Sequence, residues 1–469
     1  MLKRSVSLPF LPPASHDSPQ VWTNFVPEKE RSHPLPKSLF EDTAAVRAYV
    51  KKTPLQPLEK ISKLTSYPVF LKNEAEQRGP SAIAGIPLGG SFKSRGVFME
   101  VYRAFEEVMK SPNRRTVFEK GLRIVTQSTG NHGIAMIYAT AAAATLFARS
   151  VQSSDPELAK AIYNTEPMIF TLAGLPDIKL NGMKDALESY RQCIKRPHQG
   201  QIDNQYPSYE DALNARQAFL NTQSEQARYM DHGGQDIMVG HGTAGLEIHE
   251  QLKLVGLNST KKVAVLLPVG AGGPLGIAAA LKESRPNVIT IMVQPKGYDA
   301  FVRTLRKGSM QKNIKSPPPT ETVQCGNEKI DIVFPDGVAV DAPESAAVPI
   351  AHAYLDGAVS VDEVQAYNQS GVILLHDVGD HYPNRKDAKV GGTTAITAEA
   401  LLQLTKSQNR LLAGVDAAVL LGTEGNVSHI VDAHLKARLP NVNTITESST
   451  YRARPLLRRT KTLGNHNTI

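Results

Sequence analysis

An α/β fold is the architecture this sequence predicts, on three observations. Three separate segments repeat one pattern: an apolar strand, a turn rich in Gly, Ser or Thr, then an apolar helix. Their strands are continuous apolar runs without alternation, as in parallel strands buried on both faces. The chain has 469 residues, enough for two domains with their own cores. Strands that alternate with helices give parallel sheets covered by helices. Such sheets bind ligands at the carboxyl ends of their strands, where all three turns fall.

In chain order, the first 38 residues hold seven prolines and the only tryptophan, Trp22, and read as an extended arm packed on a neighbour. Regular structure is expected from Leu39, with Asp42 capping a helix through Ala44 to Val50 that Thr53-Pro54-Leu55 ends. The first strand–turn–helix unit is Leu122 to Thr126, then Gln127-Ser128-Thr129-Gly130-Asn131-His132-Gly133, then Ile134 to Ala144. The second is Val263 to Val269, then Gly270-Ala271-Gly272-Gly273, then Leu275 to Leu281. The third is Ala417 to Leu421, then Gly422-Thr423-Glu424-Gly425-Asn426, then Val427 to Leu435. By composition, Gln77 to Ile86, Lys307 to Glu328 and His376 to Lys389 read as loops or insertions.

Composition narrows the function classes. Two cysteines, Cys193 and Cys325, make no disulfide framework and suit unpaired thiols in a reducing, cytoplasmic setting. No uninterrupted apolar run approaches the roughly 20 residues of a membrane span, so no membrane is expected. Net charge is +8, but Arg452, Arg454, Arg458, Arg459 and Lys461 in the last 19 residues supply five of those charges. A basic end without interleaved aromatics is a solvated tail, so nucleic acid is not an expected partner.

Four motifs carry chemistry. Lys93 lies in Ser91-Phe92-Lys93-Ser94-Arg95-Gly96, after Pro87-Leu88-Gly89-Gly90. Small residues leave room around its amine and an aromatic lies beside it, which suits a lysine that forms a Schiff base with an aldehyde cofactor. Gly270-Ala271-Gly272-Gly273 lets consecutive amides converge on an anion, with a helix start behind them. It lacks the Lys-Ser/Thr of a nucleotide P-loop and is not a Gly-x-Gly-x-x-Gly dinucleotide turn in the first βα unit. Ser128, Thr129 and His132 open a helix where hydroxyls and free amides suit a carboxylate, though Ser and Thr are equally ordinary caps there. Asn131 can donate to a ring oxygen. Thr423 ends a buried strand, where its hydroxyl is either structural or a neutral partner for a heteroaromatic nitrogen.

Taken in order, the lysine, Ser-Thr-Gly-Asn-His, the glycine loop and Thr-x-Gly-Asn resemble the fold-type II pyridoxal-phosphate enzymes, above all the serine/threonine dehydratase and serine racemase group. Gly240-His241-Gly242-Thr243 looks like that group's Gly-Gln-Gly-Thr helix entry, and Asp336-Gly337-Val338-Ala339-Val340 like its Asp-Gly-Ile-Ala-Val. The resemblance covers roughly Thr53 to Leu435. It implies two domains, each a mainly parallel sheet flanked by helices, with pyridoxal 5'-phosphate in the cleft between them. Residues 39–112 and 235–440 would form the large domain and 113–234 the small one, between the arm (1–38) and the tail (441–469).

It further implies that Lys93 holds the cofactor covalently and moves the substrate α-proton. Phe92 would lie against the ring, and Gly270, Ala271, Gly272 and Gly273 would bind the phosphate. Asn131 would bond the ring hydroxyl and Thr423 the ring nitrogen. Ser128, Thr129 and His132 would hold the substrate carboxylate. The implied reaction is dehydration of a β-hydroxy amino acid such as L-serine or L-threonine to a 2-oxo acid and ammonia, in a homodimer. Lys93-Ser94-Arg95 and Gly130-Asn131-His132 differ from the Lys-Asp-Arg and Gly-Asn-Thr of β-replacement enzymes. Thr129 stands where racemases carry a serine facing the lysine. Racemisation, β-replacement and a catalytically weakened regulatory protein are the alternatives. Gln294-Pro295 replaces the family's Glu-Pro, so its cation site is not carried over. Lys389-Val390-Gly391-Gly392 replaces Glu-Pro-Ser-Gly, a charge reversal that would favour a substrate with an acidic side chain. The 34 residues after Leu435 are too few for the regulatory domain of biosynthetic threonine dehydratases.

Overall fold

A computed structural model describes residues 20–424 apart from short internal gaps, the longest at 315–319 and 382–390. Two sheets organise the chain. Their strands are β1 Gln20–Thr23, β2 Leu55–Pro57, β3 Val69–Asn73, β4 Arg123–Gln127, β5 Glu166–Leu172, β6 Gln201–Tyr206, β7 Ala227–Tyr229, β8 Val263–Pro268, β9 Val288–Pro295, β10 Gly357–Val361 and β11 Ala417–Gly422. The larger sheet runs β1-β10-β9-β8-β11-β3-β2 and the smaller β6-β5-β4-β7. Only the edge strands β1 and β2 of the larger sheet are antiparallel; the inner strands are parallel, as is the whole smaller sheet. All four strands of the smaller sheet lie between residues 113 and 234, and those of the larger sheet lie outside that range.

The helices that matter here are α1 Lys93–Lys110, α2 Asn131–Val151, α3 Asp177–Ile194, α4 Tyr209–Thr222, α5 Gln235–Leu254, α6 Leu275–Ser284, α7 Ala300–Lys307 and α8 Gly392–Lys406. β8 shows why its strand is apolar throughout. Val263, Val265 and Leu267 join a core shared with α1, α2, α5 and α6. Ala264 and Leu266 join a second core beneath α8. Both faces are covered by helices, so alternation would have placed polar groups in a core. In the smaller sheet Ile124 belongs to the shared core, while Val125 packs with Phe170 and Ala212 under α4. α2 is long and apolar enough to match a bilayer span by composition. Here it packs against α1 and α3, and most of its residues are buried.

Several sequence expectations need correction. The described part of the arm is built into the fold: Gln20–Thr23 pairs with β10 as an edge strand, and Trp22 is buried against the His352 ring. The apolar Trp22 side chain and the free edge of β10 draw this segment in. Asp42 is no cap. The helix starts after Thr43 without a side-chain cap, and Asp42 instead pairs with Arg103. Gly240-His241-Gly242-Thr243 lies inside α5 rather than at its entry. Its glycines serve close packing: a methyl at Gly240 would sit 2.5 Å from the Arg95 carbonyl oxygen of α1. Two supposed loops carry short hairpins, Arg78–Pro80 with Pro87–Gly89 and Thr320–Cys325 with Glu328–Val333. Val372–Gly379 is a helix. Lys389, Asn426, the predicted helix from Val427 and the basic tail lie outside the described residues.

Candidate active site

Lys93 is placed by contacts its neighbours make. The Phe92 amide donates to the Thr423 carbonyl at 2.9 Å, and Ser91 bridges to Glu424. The start of α1 is thereby fastened to the carboxyl end of the inner strand β11. Behind it Arg95, fully buried, binds Glu74 at 2.7 Å and Glu247 at 2.8 Å and donates to Thr243 at 3.1 Å. That network holds the first turn of α1 in one place. The Lys93 amine lies 5.0 Å from the centroid of the Phe92 ring. Burial pushes its pKa down to about 8, against the pull of the Glu424 carboxylate. An amine in that range is a competent nucleophile near neutral pH.

The glycine loop lies between β8 and α6. Among the described residues, none of the Gly270, Ala271, Gly272 and Gly273 amides donates to a protein acceptor. Gly270, Gly272 and Gly273 are buried. Buried amides left without partners are rare, and four unpartnered amides in succession before a helix start, three of them on buried residues, form an anion cradle. Gly272 sits at φ +149°, a conformation that a side chain would strain.

Across the cleft, β4 ends in the turn that opens α2. The Ser128 hydroxyl oxygen accepts from the Gly130 amide at 3.2 Å and the Gly133 amide at 2.9 Å, so it shapes the turn. Thr129 is half-buried. Asn131 Nδ2 donates to Glu424 Oε2 at 2.8 Å. The His132 ring is buried, and both its nitrogens lack a hydrogen-bond partner. It stacks on His232 with ring centroids 3.9 Å apart. Burial holds His132 well below the usual histidine range, helped by the His232 and Lys93 charges. Burial likewise takes His232 down to about 3. His232 Nε2 meets the Gln127 carbonyl at 2.8 Å, a contact that favours the protonated ring but is outweighed by burial, so both rings are neutral.

Thr423 closes the site. Its hydroxyl is buried and unpartnered, an arrangement that costs free energy unless a ligand supplies the missing bond. Gln294 is fully engaged: Nε2 donates to the Val269 carbonyl at 2.8 Å, and Oε1 accepts from the Val302 amide at 3.0 Å. Among the described residues no cluster of His, Cys, Asp and Glu could hold a metal ion.

The structure thus gathers Phe92, Lys93, Asn131, Thr423 and the glycine loop around one cleft between the two sheets. It adds three residues that sequence reasoning left without a role: His232, His241 and Glu424. Glu424 is the variable position of Thr-x-Gly-Asn, and an acidic residue at the end of a buried strand was itself a signal. It accepts from Thr393 at 2.7 Å as well as from Asn131. Gly391 leaves room for it, since a methyl there would lie 3.1 Å from the Glu424 Cγ. His232 carried no comparable signal.

The fold and site define a class: a two-domain, fold-type II enzyme built around a lysine, an anion cradle and an unpaired strand-end hydroxyl. Residues 46–371 match the model of the family described as pyridoxal-phosphate dependent enzyme. The chain belongs to that family, and its cofactor is pyridoxal phosphate. It is 25% identical over 285 residues to a serine racemase of Dictyostelium discoideum, covering 61% of this chain and 69% of the relative. It is 27% identical over 284 residues to the serine racemase of Homo sapiens, covering 60% and 65%. An L-threonine ammonia-lyase of Thermotoga maritima is 24% identical over 332 residues, covering 70% and 63%. The match thus spans about two thirds of the length of these relatives. In fold the chain resembles threonine deaminase isoform 2 from Solanum lycopersicum (TM-score 0.60, 20% identity, 93% and 98% of the two chains). It also resembles diaminopropionate ammonia lyase from Escherichia coli (TM-score 0.64, 16% identity, 90% and 98%). The residues present fit the cofactor: the unpartnered amides of the loop suit its phosphate, and the orphaned Thr423 hydroxyl suits a ring nitrogen.

Proposed function

We propose that the chain is an ammonia-lyase that converts a β-hydroxy amino acid such as L-serine or L-threonine to a 2-oxo acid and ammonia. The observation that carries this reading is the Thr423 hydroxyl, buried without a partner at the end of β11. A neutral hydroxyl leaves a pyridine nitrogen largely unprotonated, which favours β-elimination over transamination. When bound, pyridoxal phosphate supplies an electron sink for the negative charge that develops at the substrate α-carbon.

The chain's own residues supply the rest. Lys93 would hold the cofactor through Nζ, and the same amine, once displaced by the incoming substrate amine, would take the substrate α-proton. The proton then passes to the β-hydroxyl, the Cβ–O bond breaks and water leaves. The released enamine hydrolyses to the 2-oxo acid and ammonia. Phe92 would flank the cofactor beside Lys93. Gly270, Ala271, Gly272 and Gly273 offer their amides to the phosphate. Asn131, its amide oriented by Glu424, keeps its second N–H for the ring oxygen. The substrate carboxylate sits at the start of α2, where Thr129 and the neutral His132 donate to it and Ser128 fixes the turn.

Racemisation is the second reading, favoured by the serine racemase relatives and by Thr129 at the position in the turn where racemases carry a serine. An amino-acid panel separates the two. The holoenzyme is incubated with L-serine, L-threonine, 3-hydroxyaspartate and 2,3-diaminopropionate, with ammonia, 2-oxo acid and chirality followed together. Ammonia with 2-oxo acid from a β-hydroxy substrate supports the lyase. Loss of chirality without ammonia overturns it in favour of the racemase. Ammonia from diaminopropionate alone moves the leaving group from hydroxyl to amine.

A further inference from the structure

His241 has no role in the reading above, yet its ring lies at the centre of the site. It projects from the second turn of α5, is fully buried, and neither ring nitrogen has a hydrogen-bond partner. Its ring packs on Phe92, with centroids 4.5 Å apart. One edge fills the space left by Gly96. The other faces the glycine loop: a methyl at Gly273 would lie 3.0 Å from Cδ2 and 3.1 Å from Nε2. Burial keeps the imidazole neutral, with Lys93 and Arg95 acting in the same direction. A neutral imidazole carries one N–H donor, and a buried donor without an acceptor is costly.

We propose that His241 is a cofactor-binding residue whose Nε2–H donates to the phosphate held by the glycine loop. The loop amides approach the anion from the start of α6, and His241 approaches it from α5. Phe92 touches both the imidazole and the Lys93 amine, with its ring centroid 4.5 Å from that of His241 and 5.0 Å from the amine. Gly273 is required because any side chain there would cover the donating edge. The proposal rests on the phosphate lying at the glycine loop, and its test separates the two ideas.

The apoenzymes of wild type, His241→Leu and His241→Gln are titrated with pyridoxal 5'-phosphate and with pyridoxal, and affinities are read from absorbance. Wild type is expected to prefer the phosphorylated form strongly. His241→Leu should lose about tenfold or more of that preference, one charge-assisted hydrogen bond, with pyridoxal affinity unchanged. His241→Gln keeps an N–H donor and should stay within about threefold of wild type. A wild type without preference defeats the glycine-loop site itself. A normal wild type with full preference retained in His241→Leu overturns only the role of His241. Should His241→Leu fail to fold, the 31P resonance of the bound cofactor in His241→Gln decides the matter. A shifted resonance with unchanged visible absorbance supports the contact, and an unmoved one overturns it.

Discussion

Asn131 at the start of α2 donates to Glu424 at the end of β11 over 2.8 Å. This bond crosses the cleft from the smaller sheet to the larger one. Glu424 also receives the Thr393 hydroxyl and raises the pKa of Lys93 against burial. One carboxylate therefore orients Asn131 and opposes the burial that lowers the pKa of the lysine. Four predictions follow from these relationships and from the ion network behind them.

Lys93 should react as a nucleophile well below the pH at which ordinary lysines do. With a pKa near 8 in the cofactor-free protein, half of it is free amine there, whereas unperturbed lysines titrate at about 10.4. Labelling apoprotein with a limiting amine-reactive reagent, followed by peptide mass analysis, should give a Lys93 midpoint near pH 8. A midpoint with the bulk of the lysines would contradict the burial argument. Borohydride reduction of holoenzyme should fix the cofactor on Lys93.

Removing the Glu424 charge should lower that midpoint further. Glu424→Gln removes the carboxylate that favours the ammonium form, so the amine loses its proton more readily. A fall of about half to one pH unit is expected. Asn131 loses a charged acceptor in the same variant, so catalysis should fall as well. An upward shift of the midpoint would show that Glu424 acts on Lys93 in the opposite sense.

Thr423→Ala should distinguish the two states of the protein. Without cofactor the hydroxyl is a buried, unsatisfied group, and its loss should leave the melting temperature unchanged or slightly raised. With pyridoxal phosphate present, the stabilisation by ligand should fall by about 1 kcal/mol. Thermal denaturation with and without cofactor checks both arms. Equal destabilisation in each would assign Thr423 a purely structural role.

Arg95→Gln should be strongly destabilising, by about 3–5 kcal/mol, because Glu74 would remain buried without its main partner. Glu74 is held below its usual range in the native protein: Arg95 and then Lys72 oppose a desolvation that acts the other way. A depressed carboxylate pKa contributes stability that is present above the unfolded value and lost as pH falls through the folded one. Wild-type stability should therefore decline on acidification below about pH 4.5, and urea titrations across that range in both proteins would measure the difference.

Much of this was legible in the linear sequence, for a physical reason. Lys93, the glycine loop, Asn131 and Thr423 each lie in a run of consecutive residues whose local geometry fixes what they present. A glycine run can free its amides, and a strand end can expose one hydroxyl, without help from distant chain. The apolar strands were readable because burial on both faces removes alternation, as β8 shows with its two separate cores. The place of Trp22 is not legible in the sequence, because a proline-rich segment has no periodicity and only the open edge of β10 gives it a partner.

The sequence by itself determined the α/β class, the family and the local motifs, since these depend on short-range backbone preference and hydrophobic pattern. Tertiary structure decided which side chains share the cleft. His241 faces the glycine loop only because α5 packs on both α1 and α6, with glycines at the crossings. Glu424 meets Asn131 only because the two sheets bring strand ends together from positions 293 residues apart. Such neighbours arise from the packing of whole elements, and no local pattern encodes them.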